Sequence, residues 1–207
     1  MGTNQDYKNR ALQALEGNWS DACIVTLIYL LIAGVLSDGF TYFMSPEMSI
    51  GTTVMWAVLC APLGWSLVTM FLTLVRDWKS RLTVSNLFEG YHDFGRIMTT
   101  YLLMYVFLFL WTLLLIVPGI IKSFSYAMTP YILKDNPNMR DNEAIELSMR
   151  MMEGHKWELF WLYLSFIGWF LLSLLTLGIG FIFLLPYVYA SVANFYEDLK
   201  AQQNGRF

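Results

Sequence analysis

The chain has 207 residues, of which 57% are apolar, 17% aromatic and only 14% charged, with a formal net charge of −3. A soluble domain of this size runs nearer about 45–50% apolar and about 25% charged, and it could not hide so much apolar surface from water. A soluble globular domain, a disordered chain and a nucleic-acid binder are therefore excluded, the last because no basic excess exists to neutralise phosphates.

The first nineteen residues are polar and mixed in charge. They lack the basic region and small-residue cleavage site of a secretory signal, so the first apolar run is expected to be an uncleaved span. Cys23 and Cys60 both fall inside apolar runs and read as small hydrophobes. Charge-free stretches cover residues 22–37, 48–75, 97–121 and 159–196. A helical span needs about 20 apolar residues. The last stretch, 38 positions long, therefore holds two spans, with a turn over 176–180. Around Pro118-Gly119 two readings compete. One is a single helix kinked at the proline; the other is a hairpin whose return span is short.

The basic residues decide between them. Lys8 and Arg10, then Arg76, Lys79, Arg81 and Arg96, then Lys134, Arg140, Arg150 and Lys156, then Lys200 and Arg206, share one side only if 97–133 crosses twice. Lys122 alone then falls near the outer side, where it can snorkel. The acids on that side are Asp38 and Glu47. The predicted spans are 21–42, 51–75, 97–117, 120–134, 157–175 and 180–196, with both termini cytoplasmic. The fourth is short enough to be tilted or re-entrant.

A repeat accompanies these spans. Glu16-Gly17, Glu89-Gly90 and Glu153-Gly154 precede the odd spans, each followed by an acid, Asp21, Asp93 or Glu158. Before each lies an apolar stripe at helical spacing: Tyr7, Ala11, Leu12 and Leu15; Val84, Leu87 and Phe88; Ile145, Ser148, Met149 and Met152. Glycine ends each of these helices by taking the left-handed conformation, and each helix is expected to lie in the membrane interface. The even spans close on Arg76-Asp77, Lys134-Asp135 and Glu197-Asp198, and each carries a proline, Pro62, Pro130 or Pro186. The fold class is thus all-α. It is a polytopic membrane helix bundle of six spans, arranged as three hairpins that each follow an amphipathic surface helix. Residues 1–207 form one membrane domain with repeat units 5–77, 80–135 and 139–198. Mitochondrial carriers place their surface helices inside each hairpin and carry a signature absent here, so that analogy fails.

Several motifs also carry a family resemblance. They include Ala-Leu-Glu-Gly-Asn-Trp at 14–19, Leu-Phe-Glu-Gly-Tyr at 87–91 and Leu-Trp-Thr-Leu-Leu-Leu-Ile-Val-Pro-Gly-Ile-Ile-Lys at 110–122. Glu-Ala-Ile-Glu-Leu-Ser at 143–148, Met-Glu-Gly-His-Lys-Trp-Glu-Leu-Phe at 152–160 and Asn-Phe-Tyr at 194–196 continue the series. Over residues 8–200 the chain resembles the bacterial membrane family catalogued as domain of unknown function 975. The resemblance implies a bacterial inner-membrane protein and supplies no activity, cofactor or catalytic residue. The Pro-Gly-Ile segment is also similar to membrane domains attached to some glycerophosphodiester phosphodiesterases, which are not their catalytic part.

Candidate chemistry is sparse. Glu89, His92, Asp93, Glu153 and His155 could meet around a metal only if the repeat brings them together, and their spacing gives no ligand signature. Intramembrane charges are functional candidates by default, so Asp38 and Lys122 are a candidate intramembrane pair. Gly17, Gly90, Gly154, Pro118 and Gly119 are expected helix breaks. No phosphate loop, zinc helix or nucleophile elbow occurs. No catalytic, cofactor-binding or metal site is assigned. The expected role is non-enzymatic: structural, regulatory or partner-binding, with membrane lipids and other membrane proteins as partners through the surface helices, and no nucleic acid. The alternative is a transporter or lipid-handling protein.

Overall fold

The computed structural model describes residues 1–35, 50–77 and 79–204. Among them every regular element is helical. In chain order these are α1 (Asn4–Leu15), α2 (Trp19–Leu30), which runs into a π-helical turn at Leu31–Val35, and α3 (Ile50–Arg76). A 3-10 helix (Val84–Tyr91), α4 (Phe94–Leu114), α5 (Ile116–Tyr126) and α6 (Thr129–Asp135) follow. The last four are α7 (Asp141–Met151), α8 (Lys156–Leu164), α9 (Ile167–Leu175) and α10 (Phe181–Asn204).

Three stretches are long and apolar enough to cross a membrane: Val58–Arg76, Phe94–Leu114 and Lys156–Leu175. A fourth candidate is α1 with Trp19–Gly34, bent by 97° between its parts. The bend sits at Gly17, whose φ of 81° only glycine adopts cheaply. Thr3 starts α1 with a capping box, its backbone N–H donating to Asp6 at 2.7 Å and its hydroxyl accepting from the Asp6 N–H at 3.3 Å.

Burial divides the helices unequally. The core collects Trp65 and Leu72 of α3, Tyr131 and Ile132 of α6, and Phe195 and Tyr196 of α10. A second cluster joins Ala11 and Leu15 of α1, Ala22 of α2, and Leu67 and Phe71 of α3. By contrast α4 and α9 present rows of exposed large apolar residues, Leu102, Phe109 and Leu113 on one, Phe170, Leu171 and Leu175 on the other.

The surface helices depart from expectation in where their apolar faces point. Tyr7, Ala11 and Leu15 are buried, while Leu12 stays 41% exposed. The face of α1 packs on α10, Tyr7 meeting Phe195 edge-on at 5.4 Å. Ile145, Ser148 and Met152 are likewise buried in the bundle. These faces are therefore satisfied by protein. The middle copy is the 3-10 helix, with Leu87 buried and Val84 and Phe88 exposed.

Each of these segments also bonds to a helix elsewhere in the chain, close to an interruption in it. From the first unit, the Lys8 ammonium donates to the Ser165 carbonyl at 2.8 Å, at the break between α8 and α9. From the second, Gly90 N–H donates to the Ser66 hydroxyl at 2.8 Å and the Tyr91 hydroxyl to the Leu59 carbonyl at 2.6 Å, on either side of Pro62 in α3. From the third, Ser148 accepts from the Met128 N–H at 3.2 Å and donates to the Ser125 carbonyl at 2.8 Å, across the break between α5 and α6. These contacts start from the expected units 5–77, 80–135 and 139–198, and each reaches into a different one of the three.

That last break corrects one expected element. Residues 120–134 are not one helix: α5 ends at Tyr126 and α6 begins at Thr129 with Pro130 in its first turn. Proline suits the start of a helix because it has no N–H to give to the preceding turn, and Ser148 satisfies the Ser125 carbonyl and the Met128 N–H on the two sides of the break. Ser148→Ala is expected to cost about 2 kcal/mol, the loss for buried partners left unsatisfied; thermal unfolding of the purified protein measures it. The turn before α5 also moves. Leu115 is the extended residue between α4 and α5, and Pro118 lies within the first turn of α5, a position that tolerates it. Gly119 is needed for closeness: a Cβ there would collide with Thr112 of α4. Gly180 repeats this against Ser173, where a Cβ would lie 2.7 Å from the Ser173 Cα. Leu177 and Gly178, at φ 55° and 89°, form the turn between α9 and α10.

Candidate functional site

A dense group of charged side chains gathers at or near the C-terminal ends of α3, α6 and α10. Arg76 ends α3, Asp135 ends α6 and Glu197 lies toward the end of α10. The Arg76 guanidinium donates two parallel bonds to Asp135, at 2.6 and 2.7 Å, and a third to Glu197 at 2.8 Å. Asp135 further accepts from the Lys200 ammonium at 2.6 Å and the Tyr196 hydroxyl at 2.8 Å. The flat guanidinium fork suits such bidentate pairing, and an ammonium could not copy it. The Asp135 side chain is only 8% exposed. Burial pushes its pKa up, but bonds from Arg76, Lys200 and Tyr196 outweigh that and hold it at about 2.

Two ionic links extend the cluster outward. Arg10 of α1 forms a bidentate pair with Asp198 of α10 at 2.8 and 3.0 Å. Lys134 pairs with Glu89 of the 3-10 helix. Five helical elements are thus tied at one place. Two cations and two carboxylates balance at the centre, and what they do chemically is hold three helix ends at fixed separation.

Behind the clamp stands a group of tyrosines. Tyr131 stacks on Tyr196 with ring centroids 5.1 Å apart. Tyr163 stays 42% exposed because it lines a cavity of about 600 Å³ between α8, α9 and α10. Tyrosines in apolar runs read as packing aromatics in sequence, and only the count of 12 hints at a hydroxyl-bearing interior.

The other sequence candidates do not converge. Asp38 lies outside the described residues. The Lys122 side chain turns toward α7, its ammonium 3.6 Å from the Met149 sulfur and 4.8 Å from the Trp111 ring centre. Glu89 is engaged by Lys134, Asp93 by Arg96 at 3.0 Å, and His155 by Glu158 at 3.2 Å. Among the described residues no three His, Cys, Asp or Glu side chains are grouped to hold a metal. Of the glycine breaks, Gly17 and Gly154 have positive φ, at 81° and 82°. Gly90 does not; it serves a close approach to Pro62 and Ser66 of α3.

Fold and clamp together define an all-helical protein with several helices of membrane-crossing length. The family model described as "Protein of unknown function (DUF975)" matches residues 1–123 and 113–203. The chain belongs to that family. No curated protein and no solved structure matches it.

Proposed function

We propose that the chain is an integral protein of the bacterial cytoplasmic membrane, built as three hairpins around an ionic clamp at their cytoplasmic ends, with a structural or partner-binding role and no catalysis. The observation that carries this reading is the convergence of Arg76, Asp135 and Glu197, one from the closing end of each hairpin. Charges that end apolar segments cannot sit in hydrocarbon, so their meeting marks one shared aqueous edge. The contacts that each unit sends into a different one of the three support the threefold arrangement. Rows of exposed leucine and phenylalanine on α4 and α9 suit a lipid surround. The apolar faces of α1 and α7 are already covered, so partners would meet their polar faces, Gln5, Asn9 and Gln13 on α1 and Glu143 and Glu146 on α7.

Alkaline phosphatase fusions test the topology. Activity is expected for a fusion after 178 and none after 137 and 204, with the protein resisting alkaline carbonate extraction. Position 119 decides between six spans and four: Val117 and Ile120 share a cleft with Lys156, whose expected side is cytoplasmic, and a cytoplasmic position 119 would remove two spans. A second reading, a transporter or lipid-handling protein, is favoured by the Tyr163-lined cavity; solute uptake by reconstituted vesicles distinguishes it.

A further inference from the structure

We infer that the chain carries a binding groove for one anionic phospholipid between α5 and the α8–α9 pair; the inference rests on the chain lying in a membrane, not on the side given to position 119. A cleft of about 420 Å³ is walled by Val117, Ile120 and Ile121 of α5 and by Trp157 and Phe160 of α8. Lys156 is the one charged residue among its lining side chains. Phe124 and Phe160, ring centres 6.0 Å apart, line this cleft and also the cavity of about 600 Å³ beyond it. The two volumes therefore meet at that aromatic pair and offer apolar space on both sides of it. An acyl-chain lipid fits such a lining, since chains follow apolar surface without polar partners.

The headgroup preference comes from charge. Among the described residues Lys156 has no carboxylate partner, and the nearby Glu158 is engaged by His155 at 3.2 Å. Lys156 thus brings a positive charge without a carboxylate partner to the lining of an otherwise apolar groove. Trp157 beside it is 70% exposed, as suits an indole at the level of lipid headgroups. One basic residue facing an anionic headgroup favours it by about fivefold.

The test uses the full chain in detergent, with native mass spectrometry after addition of phosphatidylglycerol or phosphatidylcholine. The wild type is expected to retain one phosphatidylglycerol, with about fivefold preference over phosphatidylcholine. Lys156→Gln should erase the preference while leaving chain binding, and Ile121→Trp, which fills the cleft, should abolish retention of both. Lys156→Gln alters a partly exposed residue, so it reads the proposal even if Ile121→Trp folds poorly. Equal retention of the two lipids by the wild type, an unchanged preference in Lys156→Gln, or full retention by a folded Ile121→Trp would each overturn the groove. A chain that needs no detergent for extraction would overturn the membrane reading instead.

Discussion

Replacing Asp135 by asparagine is expected to lower the unfolding free energy of the purified protein by about 3 kcal/mol, the scale for breaking a buried charge pair from one side. The substitution keeps shape but removes the charge that neutralises Arg76 and Lys200, and it exchanges a four-bond acceptor for one that can satisfy fewer donors. Glu197 makes a useful contrast. It shares Arg76, but its side chain is 31% exposed, so water replaces much of what is lost. Glu197→Gln should cost less than about 1 kcal/mol. Chemical unfolding in mixed micelles measures both. Equal costs would mean that Asp135 is not the centre of the clamp.

The same residue gives a pH signature. The folded-state pKa of Asp135 is about 2, below the ordinary value of 3.8. A depressed carboxylate contributes stability that is fully present above its unfolded pKa and is lost as pH falls through the folded one. The contribution is therefore complete above about pH 4 and fades toward pH 2, amounting to about 2 kcal/mol. Acid melts of the wild type should steepen in that window, and Asp135→Asn should remove that part of the slope.

Much of this was legible from charge placement alone. The gaps in charge located the long apolar helices, and the pairs Arg76-Asp77, Lys134-Asp135 and Glu197-Asp198 stood out as equivalent endings. Their similarity was readable; the convergence of Arg76, Asp135 and Glu197 was not, because no local pattern says that Arg76 reaches Asp135 59 positions away. Ser148 shows the opposite limit. At helical spacing among Ile145, Met149 and Met152 it reads as one more residue of an apolar stripe, yet its hydroxyl bridges the α5–α6 break. A period describes which face is buried, not what a polar atom on that face must satisfy. Pro118 misleads for a related reason. Proline before glycine is a turn signal, but proline is equally at home in the first turn of a helix, and the close packing of Gly119 on Thr112 selected the second use.

The Glu-Gly repeat separates two physical reasons for one residue. Gly17 has a φ of 81° and nothing within 4 Å of where a Cβ would stand, so its need is conformational. Gly17→Ala should cost about 1 kcal/mol, and Gly17→Asn less, because asparagine tolerates the left-handed region. At Gly90 the backbone is ordinary, but a Cβ would lie 2.5 Å from the Pro62 carbonyl oxygen and 2.8 Å from the Ser66 hydroxyl. A backbone carbonyl inside a helix cannot step aside, and the Gly90 N–H bond to Ser66 would be lost with any retreat. Gly90→Ala should therefore cost about 3 kcal/mol, the upper range for overpacking, and Gly90→Asn more than alanine, reversing the order at Gly17. Unfolding midpoints for the four variants decide the matter. If alanine were tolerated equally at both positions, the 3-10 helix would not be seated against Pro62 as described, and the link from the second unit to the first would fall with it.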